Sequence, residues 1–198
     1  MNEAAQPKTT KDAILDATDR LLARYGYKKM TIDDLAREVG IGKGSVYLHF
    51  SSKEEIALTH IDRIIERLKE TLRAIAAKPL KPEERLRRML LERVMYRFDS
   101  VHHYRQSLDE LLSFVRTNLL ERRKRYFEEE ARILATVIKE GQTSVFSKGD
   151  PFDLALTLVS ATNSLLPYSL SAIELGDRSD VAARTEKTAK ILIKGLTI

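Results

Sequence analysis

Apolar residues recur along this chain at intervals of three and four positions, with polar residues between them. That period is typical of amphipathic α-helices, whereas the apolar–polar alternation expected of strands is rare. The pattern therefore predicts an all-α protein of about nine helices. We place them at Thr9 to Gly26 and at residues 32–39, 43–49, 52–77, 83–99, 104–115, 117–140, 152–175 and 180–196.

Capping residues mark several of these helix boundaries. Three pairs have the spacing of a capping box, namely Thr9 with Asp12, Thr31 with Asp34, and Ser52 with Glu55. Gly26 and Gly40 follow apolar stripes at the positions where a left-handed C-cap is expected. The sequence thus predicts three helices, two of them short, before a long fourth helix.

The segment GIGKGSVYLHF, residues 40–50, forms the end of this predicted three-helix unit. Val46 and Phe50 are four residues apart, so we expect them to pin the third helix to a core that contains Leu35 and Val39. Polar residues occupy the other faces of the same helix. Two short helices joined by a glycine turn and preceded by a packing helix are typical of a helix-turn-helix unit.

Gly44 lies among the outward polar residues of the third helix. A glycine there removes a side chain that would hold the helix away from a partner, which favours insertion into the DNA major groove. Lysine and serine can bond base edges or phosphates, and tyrosine and histidine can hold phosphates. The predicted DNA-binding residues are Thr31, Lys43, Gly44, Ser45, Tyr47, His49 and Lys53.

The segment MTIDDLAREVGIGKGSVYLHFSSKEEI, residues 30–56, resembles the DNA-binding signature of the TetR family of bacterial transcriptional regulators. The matching positions are Thr31, Ala36, Gly40, Gly44, Ser45, Tyr47, Phe50, Lys53 and Glu54. Gly42 departs from the pattern, which often has serine as a cap there. The resemblance implies a homodimeric repressor that binds a pseudo-palindromic double-stranded DNA operator and is released by a small organic effector.

The charge distribution does not by itself indicate DNA binding. The net charge is +5, but residues 1–60 carry nine basic and nine acidic side chains and are neutral overall. Affinity for DNA would then depend on a few well-placed cations. The chain has no cysteine, no apolar run long enough to span a membrane and no signal peptide, so we predict a soluble cytoplasmic protein.

We assign residues 1–51 to the DNA-binding domain and residues 52–198 to a domain for ligand sensing and dimerisation, with helix 52–77 connecting them. Aromatic groups mixed with a few polar ones suit an apolar or mixed organic effector. The candidate ligand-binding residues are Tyr96, Phe98, His102, Tyr104, Leu111, Phe114, Asn163, Leu166 and Tyr168. Each of them could equally be an ordinary core residue.

The last two predicted helices carry long apolar stripes that include small residues. In the TetR family these helices form the subunit interface, and the stripes agree with that arrangement. The predicted dimer-interface residues are Ala155, Leu158, Thr162, Ala182, Thr185, Ala189, Leu192 and Ile193.

Other functions are less well supported by the sequence. No nucleophile–base order, phosphate loop or nucleotide fingerprint is present, so we expect neither an enzyme nor a cofactor. Adjacent His102 and His103 point apart on a helix, so we expect no metal site, and we place His60 on the surface. A helical lipid or small-molecule carrier that does not bind DNA remains an alternative, as does an activator on the same fold.

Overall fold

The structure, a computed structural model, describes residues 9–167 and 176–197. These residues are almost entirely helical, and the predicted all-α class is confirmed. The helices are α1 (Thr10–Lys29), α2 (Ile32–Val39), α3 (Lys43–His49), α4 (Lys53–Ala76), α5 (Pro82–Val101), α6 (Leu108–Gly141), α7 (Pro151–Ala161) and α8 (Arg178–Leu196). Short 3₁₀ turns at His102–Ser107 and Asn163–Leu165 lie between them. Within the described ranges, no helix combines the length and apolar character needed to cross a membrane.

Helices α1 to α3 form a head, and the remaining helices form a body built around α6. Helix α6 packs against α4, α5 and α7, and α5 also packs against α8. The apolar core of the head continues directly into the body, because Ile56 and Ile65 of α4 and Leu111 and Val115 of α6 belong to the same buried cluster as the head residues. The head is therefore packed onto the body along α4 and α6.

The predicted break near residue 116 is wrong, because α6 runs without interruption from Leu108 to Gly141. Its buried positions Leu111, Val115 and Leu119 continue past the polar residues at 116–118. Tertiary packing of that stripe outweighs the weak helix propensity of the polar residues.

The predicted helix at 152–175 is also wrong in extent, since α7 ends at Ala161. Leu166 has extended backbone angles, which the following Pro167 favours by steric exclusion of the helical region. Residues 168–175 of that prediction lie outside the described part of the chain. A third correction concerns His60, which is buried between head and body instead of lying on the surface.

A buried charge network joins α5, α6 and the end of α7. Arg93 donates from Nε to Glu130 Oε2 at 2.7 Å, and Arg97 donates from Nη2 to the other oxygen of the same carboxylate. Arg93 also donates to Thr162 Oγ1 at 2.7 Å and to Asn163 Oδ1. Burial raises the pKa of Glu130, but the charges and hydrogen bonds of Arg97 and Arg93 outweigh it and lower that pKa overall.

We expect Glu130→Gln to lower the free energy of unfolding by about 3–5 kcal/mol, because it removes the carboxylate that lies between two buried guanidinium groups. Glu128→Gln is the matched control on the same helix. Glu128 pairs with Arg132 at 3.6 Å near the surface, so we expect a loss of at most about 1 kcal/mol. Urea denaturation of both variants measures the difference, and equal losses would contradict the prediction.

Candidate nucleic-acid interface

Helix α3 is held in the head by its two apolar positions. Val46 is fully buried and Phe50 is nearly so, and both belong to a core cluster with Leu35 and Ala36 of α2. Gly40 ends α2 with φ 78°, a left-handed conformation that glycine adopts without steric cost. These contacts confirm the predicted anchoring of α3 and turn its remaining faces outward.

The start of α2 is fixed by the predicted capping box. Thr31 Oγ1 accepts a hydrogen bond from the backbone N–H of Asp34 at 3.1 Å, and it donates to Asp34 Oδ2 at 2.6 Å. The hydroxyl of Thr31 is thus engaged within the protein. Thr31 therefore has a structural role as the N-cap of α2. Its contact with DNA stays a prediction.

The outer face of α3 is open at Gly44, where an added Cβ atom would meet no other atom within 4 Å. Leu48 follows four residues later on the same face and is 85 % exposed, and Tyr47 is 50 % exposed. Lys43 and His49 are also exposed, whereas Ser45 is half-buried. The structure therefore brings five of the predicted residues together on α3.

Lys43 is already paired with an acidic residue of α2. Its Nζ atom lies 2.8 Å from Asp33 Oδ2, and both side chains are more than half exposed. The hydrogen bond from Lys43 to Asp33, helped by the charge of that carboxylate, raises the pKa of Lys43. The pair keeps the ammonium group of Lys43 charged at the edge of the α3 face.

Lys53 occupies a place that sequence reasoning did not foresee. Its Nζ atom lies 3.1 Å from the carbonyl oxygen of Tyr27, 3.4 Å from that of Lys28 and 3.1 Å from that of Met30. It also lies 4.5 Å from the centre of the Tyr27 ring. Lys53 therefore caps the carbonyl end of α1 from the start of α4. Its phosphate contact stays a prediction.

Leu48 is the residue of this face that the sequence analysis missed. The available signal was its spacing of four from Gly44, which places both on one stripe of α3. An exposed leucine is usually uninformative, but a leucine beside bare backbone offers an apolar surface of the kind that contacts thymine methyl groups. Gly42, at the N-cap of α3, provides no side-chain cap.

Comparison with known proteins agrees with this geometry. Residues 14–59, which contain most of the head and the start of α4, match the family model described as bacterial regulatory proteins, tetR family. This head is similar to the TetR family of bacterial regulatory proteins.

Several curated transcriptional regulators are similar to part of this chain. The chain is 36 % identical over 84 residues to YerO, an uncharacterised HTH-type transcriptional regulator of Bacillus subtilis, and the match covers 40 % of this chain and 28 % of YerO. It is 27 % identical over 141 residues to the HTH-type transcriptional repressor KstR2 of Mycolicibacterium smegmatis, covering 69 % of this chain and 67 % of that protein. Matches to the first curated relatives span less than half of their length.

The fold is also similar to that of solved transcriptional regulators. The crystal structure of a transcriptional regulator from Cytophaga hutchinsonii superposes with a TM-score of 0.77 at 21 % identity. The superposition covers 93 % of this chain and 97 % of that one. At this identity the likeness concerns the fold alone, and it extends through the body helices that the family model does not reach.

In the body, an apolar cavity of about 50 Å³ lies among α4, α5 and α6. Tyr104 and Leu111, two of the predicted ligand-binding residues, line it. The rest of its lining is aliphatic apart from Arg97, which is committed to Glu130. Ligand pockets usually hold about 300–1,000 Å³, so an organic effector can enter this cavity only if its walls move outward.

The other predicted ligand-binding residues within the described ranges do not line this cavity. Phe98 stacks on His102 with ring centroids 5.5 Å apart, and Asn163 accepts a hydrogen bond from Arg93. Leu166 is buried in a small apolar cluster with Phe98. Phe114 is 54 % exposed, so its assignment to the pocket is wrong.

Two further predicted ligand-binding residues complete the set. Tyr96 lines a separate, polar cavity beside α1. Tyr168 lies outside the described residues. The structure thus brings only part of the predicted set to one place.

Most of the predicted dimer-interface residues are buried inside the protomer. This group comprises Ala155, Leu158, Thr162, Thr185, Ala189 and Ile193, while Ala182 and Leu192 are half-buried. The correction has a simple reason: the apolar stripes of α7 and α8 face α6 and α5 within the same chain. On the outer surface of α8, Ile191 is 63 % exposed.

We expect Lys53→Met to lower the free energy of unfolding by about 1–3 kcal/mol in the absence of DNA, because three carbonyl oxygens at the end of α1 and just after it lose a charged donor. Lys29→Met is the matched control, since Lys29 is exposed at the end of the same helix. We expect that control to change stability by at most about 0.5 kcal/mol. A Lys53→Met variant as stable as the wild type would mean that the cap contributes nothing.

Proposed function

We propose that this chain is a ligand-responsive transcriptional regulator that binds a pseudo-palindromic DNA operator as a homodimer. The observation that carries the proposal is the outer face of α3, on which exposed side chains surround the bare backbone at Gly44. A major groove is about 12 Å wide and accepts one α-helix, so a helix with such a face can approach the base edges closely.

The side chains of this face have complementary tasks in the proposal. Lys43 binds a guanine edge or a phosphate, and Ser45 can bond either. Tyr47 and His49 hold phosphates and fix the register of the helix. Leu48 contacts a thymine methyl group, which would make it the residue that senses an A·T pair without a hydrogen bond.

Two copies of the head are needed to read a two-fold operator. Half-sites one helical turn apart require recognition helices about 34–36 Å apart, a spacing that a dimer of this chain would set. We infer that the outer surfaces of α7 and α8 form the subunit contact, as in the family. Ile191 supports this inference as a large apolar side chain left exposed on α8.

The effector of the proposed regulator is an apolar organic molecule that enters the body at the cavity among α4, α5 and α6. The aliphatic lining supports that chemistry. Because α4 runs from this cavity to the head, an effector that pushes the walls apart would change the head position. The effector needs only to bind the two arrangements unequally to release the DNA. We place this activity in the cytoplasm, where the DNA is.

We expect Lys43→Ala and Tyr47→Ala each to weaken operator binding about tenfold, and Lys43→Ala to lower the salt dependence by about one counterion. Lys124→Ala is the control, because Lys124 is an exposed lysine on α6 of the body. Fluorescence anisotropy on a duplex selected from a random-sequence library measures all three. If selection recovers no preferred duplex, the chain is not a sequence-specific regulator.

We expect Ile191→Glu to convert the dimer into monomers at micromolar concentration, because a carboxylate would be buried in an apolar contact. Leu120→Glu is the control, since Leu120 is exposed on α6. Light scattering should give the mass of two chains for the wild type and for the control. A wild type with the mass of one chain would show that the proposed interface does not form.

A further inference from the structure

A polar cavity of about 340 Å³ lies where α1 of the head meets α4 and α5 of the body. Its volume is within the range of small-molecule pockets, and it is distinct from the apolar cavity described above. The lining residues that carry the argument are Asp16, Asp19, His60, Arg63, Arg67 and His103. They come from the head, from the connecting helix and from the turn that follows α5.

The acidic groups of this cavity are already neutralised by partners within the protein. Asp16 Oδ1 accepts a hydrogen bond from Arg63 Nη1 at 2.8 Å. Asp19 lies between two imidazoles, with His60 Nε2 at 3.4 Å and His103 Nε2 at 3.0 Å. Burial raises the pKa of Asp19, but the hydrogen bonds and charges of the two histidines outweigh it and lower that pKa. Asp19 therefore stays ionised, and both of its carboxylate oxygens are engaged by histidines.

Some buried polar atoms of the cavity, in contrast, have no hydrogen-bond partner among the described residues. His60 is 2 % exposed, and its Nδ1 atom has no hydrogen-bond partner among the described residues. The Nε atom of Arg63 is buried and equally unpartnered within the same ranges. Arg67 makes no ion pair with any residue in the described part of the chain. A ligand that supplies oxygen acceptors and negative charge would complete these groups.

The two histidines of the cavity are engaged by Asp19. Across residues 9–167 and 176–197, no group of three histidine, cysteine, aspartate or glutamate side chains is arranged to hold a metal ion. Both imidazoles direct Nε2 at the carboxylate of Asp19 itself. Asp19 and the two histidines form a hydrogen-bonded wall of the cavity. The groups left to bind a ligand are the guanidinium groups of Arg63 and Arg67.

We propose that this cavity binds a small organic anion through its carboxylate or phosphate oxygens. Arg67 supplies the charge that attracts it, and Arg63 donates from Nε the hydrogen bond that holds it. The organic part of the anion lies beside Ile64 and Tyr96, which also line the cavity. Nothing in this assignment requires the chain to bind DNA.

A consequence for regulation does rest on the proposed function. The walls of the cavity belong to α1 of the head and to α4 and α5 of the body. An anion bridging them would favour one arrangement of head and body over another. Operator affinity would then change on saturation with the anion, and by reciprocity the operator would change the affinity for the anion.

The test is isothermal titration calorimetry of the full chain at fixed ionic strength with succinate, citrate, inorganic phosphate and the neutral isostere succinamide. We expect at least one anion to bind with a Kd about tenfold or more below that of succinamide, because charge-assisted hydrogen bonds distinguish them. Comparison of the succinate and phosphate arms identifies which oxyanion the site prefers.

Arg67→Gln should weaken binding of that anion about tenfold, while Arg67→Lys should retain part of it. Arg116→Gln, at an exposed arginine of α6 outside the cavity, should leave it unchanged. Arg67 is exposed, so the variant is expected to fold, and circular dichroism checks this. The proposal is overturned if no anion binds better than succinamide, or if Arg116→Gln weakens binding as much as Arg67→Gln.

The regulatory consequence is tested separately with the selected operator duplex. A change in operator affinity on adding the anion, lost in Arg67→Gln, supports it. If the anion binds but operator affinity is constant, the site stands and its coupling to DNA is refuted. If the chain binds the anion but no duplex, the proposed function fails while the anion site stands.

Discussion

A helix of seven residues is not stable by itself in water, so α3 keeps its shape only through its packing. Val46 and Phe50 provide that packing, and their burial leaves the other faces of the helix free. Gly42 gives no capping side chain, which makes this dependence stronger. The open surface at Gly44 therefore exists because two apolar residues on the opposite side are firmly held in the head core.

The head is joined to the body by more than one contact. Lys53 of α4 caps the carbonyl end of α1, and Glu110 of α6 accepts a hydrogen bond from the backbone N–H of Lys28 at 2.7 Å. Gly26, with φ 74°, turns the chain at this point, and a Cβ atom there would approach Ser107 Oγ to 2.8 Å. Movement of the head must therefore act against a packed junction.

The sequence predicted well what depends on local spacing. The capping boxes at Thr9 and Thr31 and the burial of Val46 and Phe50 follow from contacts within four residues along the chain. Contacts between distant residues could not be predicted in this way. Nothing in the local pattern shows that Lys53 reaches carbonyl groups more than twenty residues away, or that two arginines enclose a buried glutamate.

Six of the predicted dimer-interface residues are buried inside the protomer for a related reason. Periodicity identifies an apolar stripe, but a stripe that packs inside one chain has the same period as one that packs against a second chain.

The length of helix α6 has a mechanical consequence. Its 34 residues contain no proline, and glycine occurs only at the end, so it is a stiff rod about 50 Å long. A tilt of a few degrees about one end would therefore move the other end by several ångströms. In this way α6 can transmit a movement from the far end of the body to the end that packs against the head.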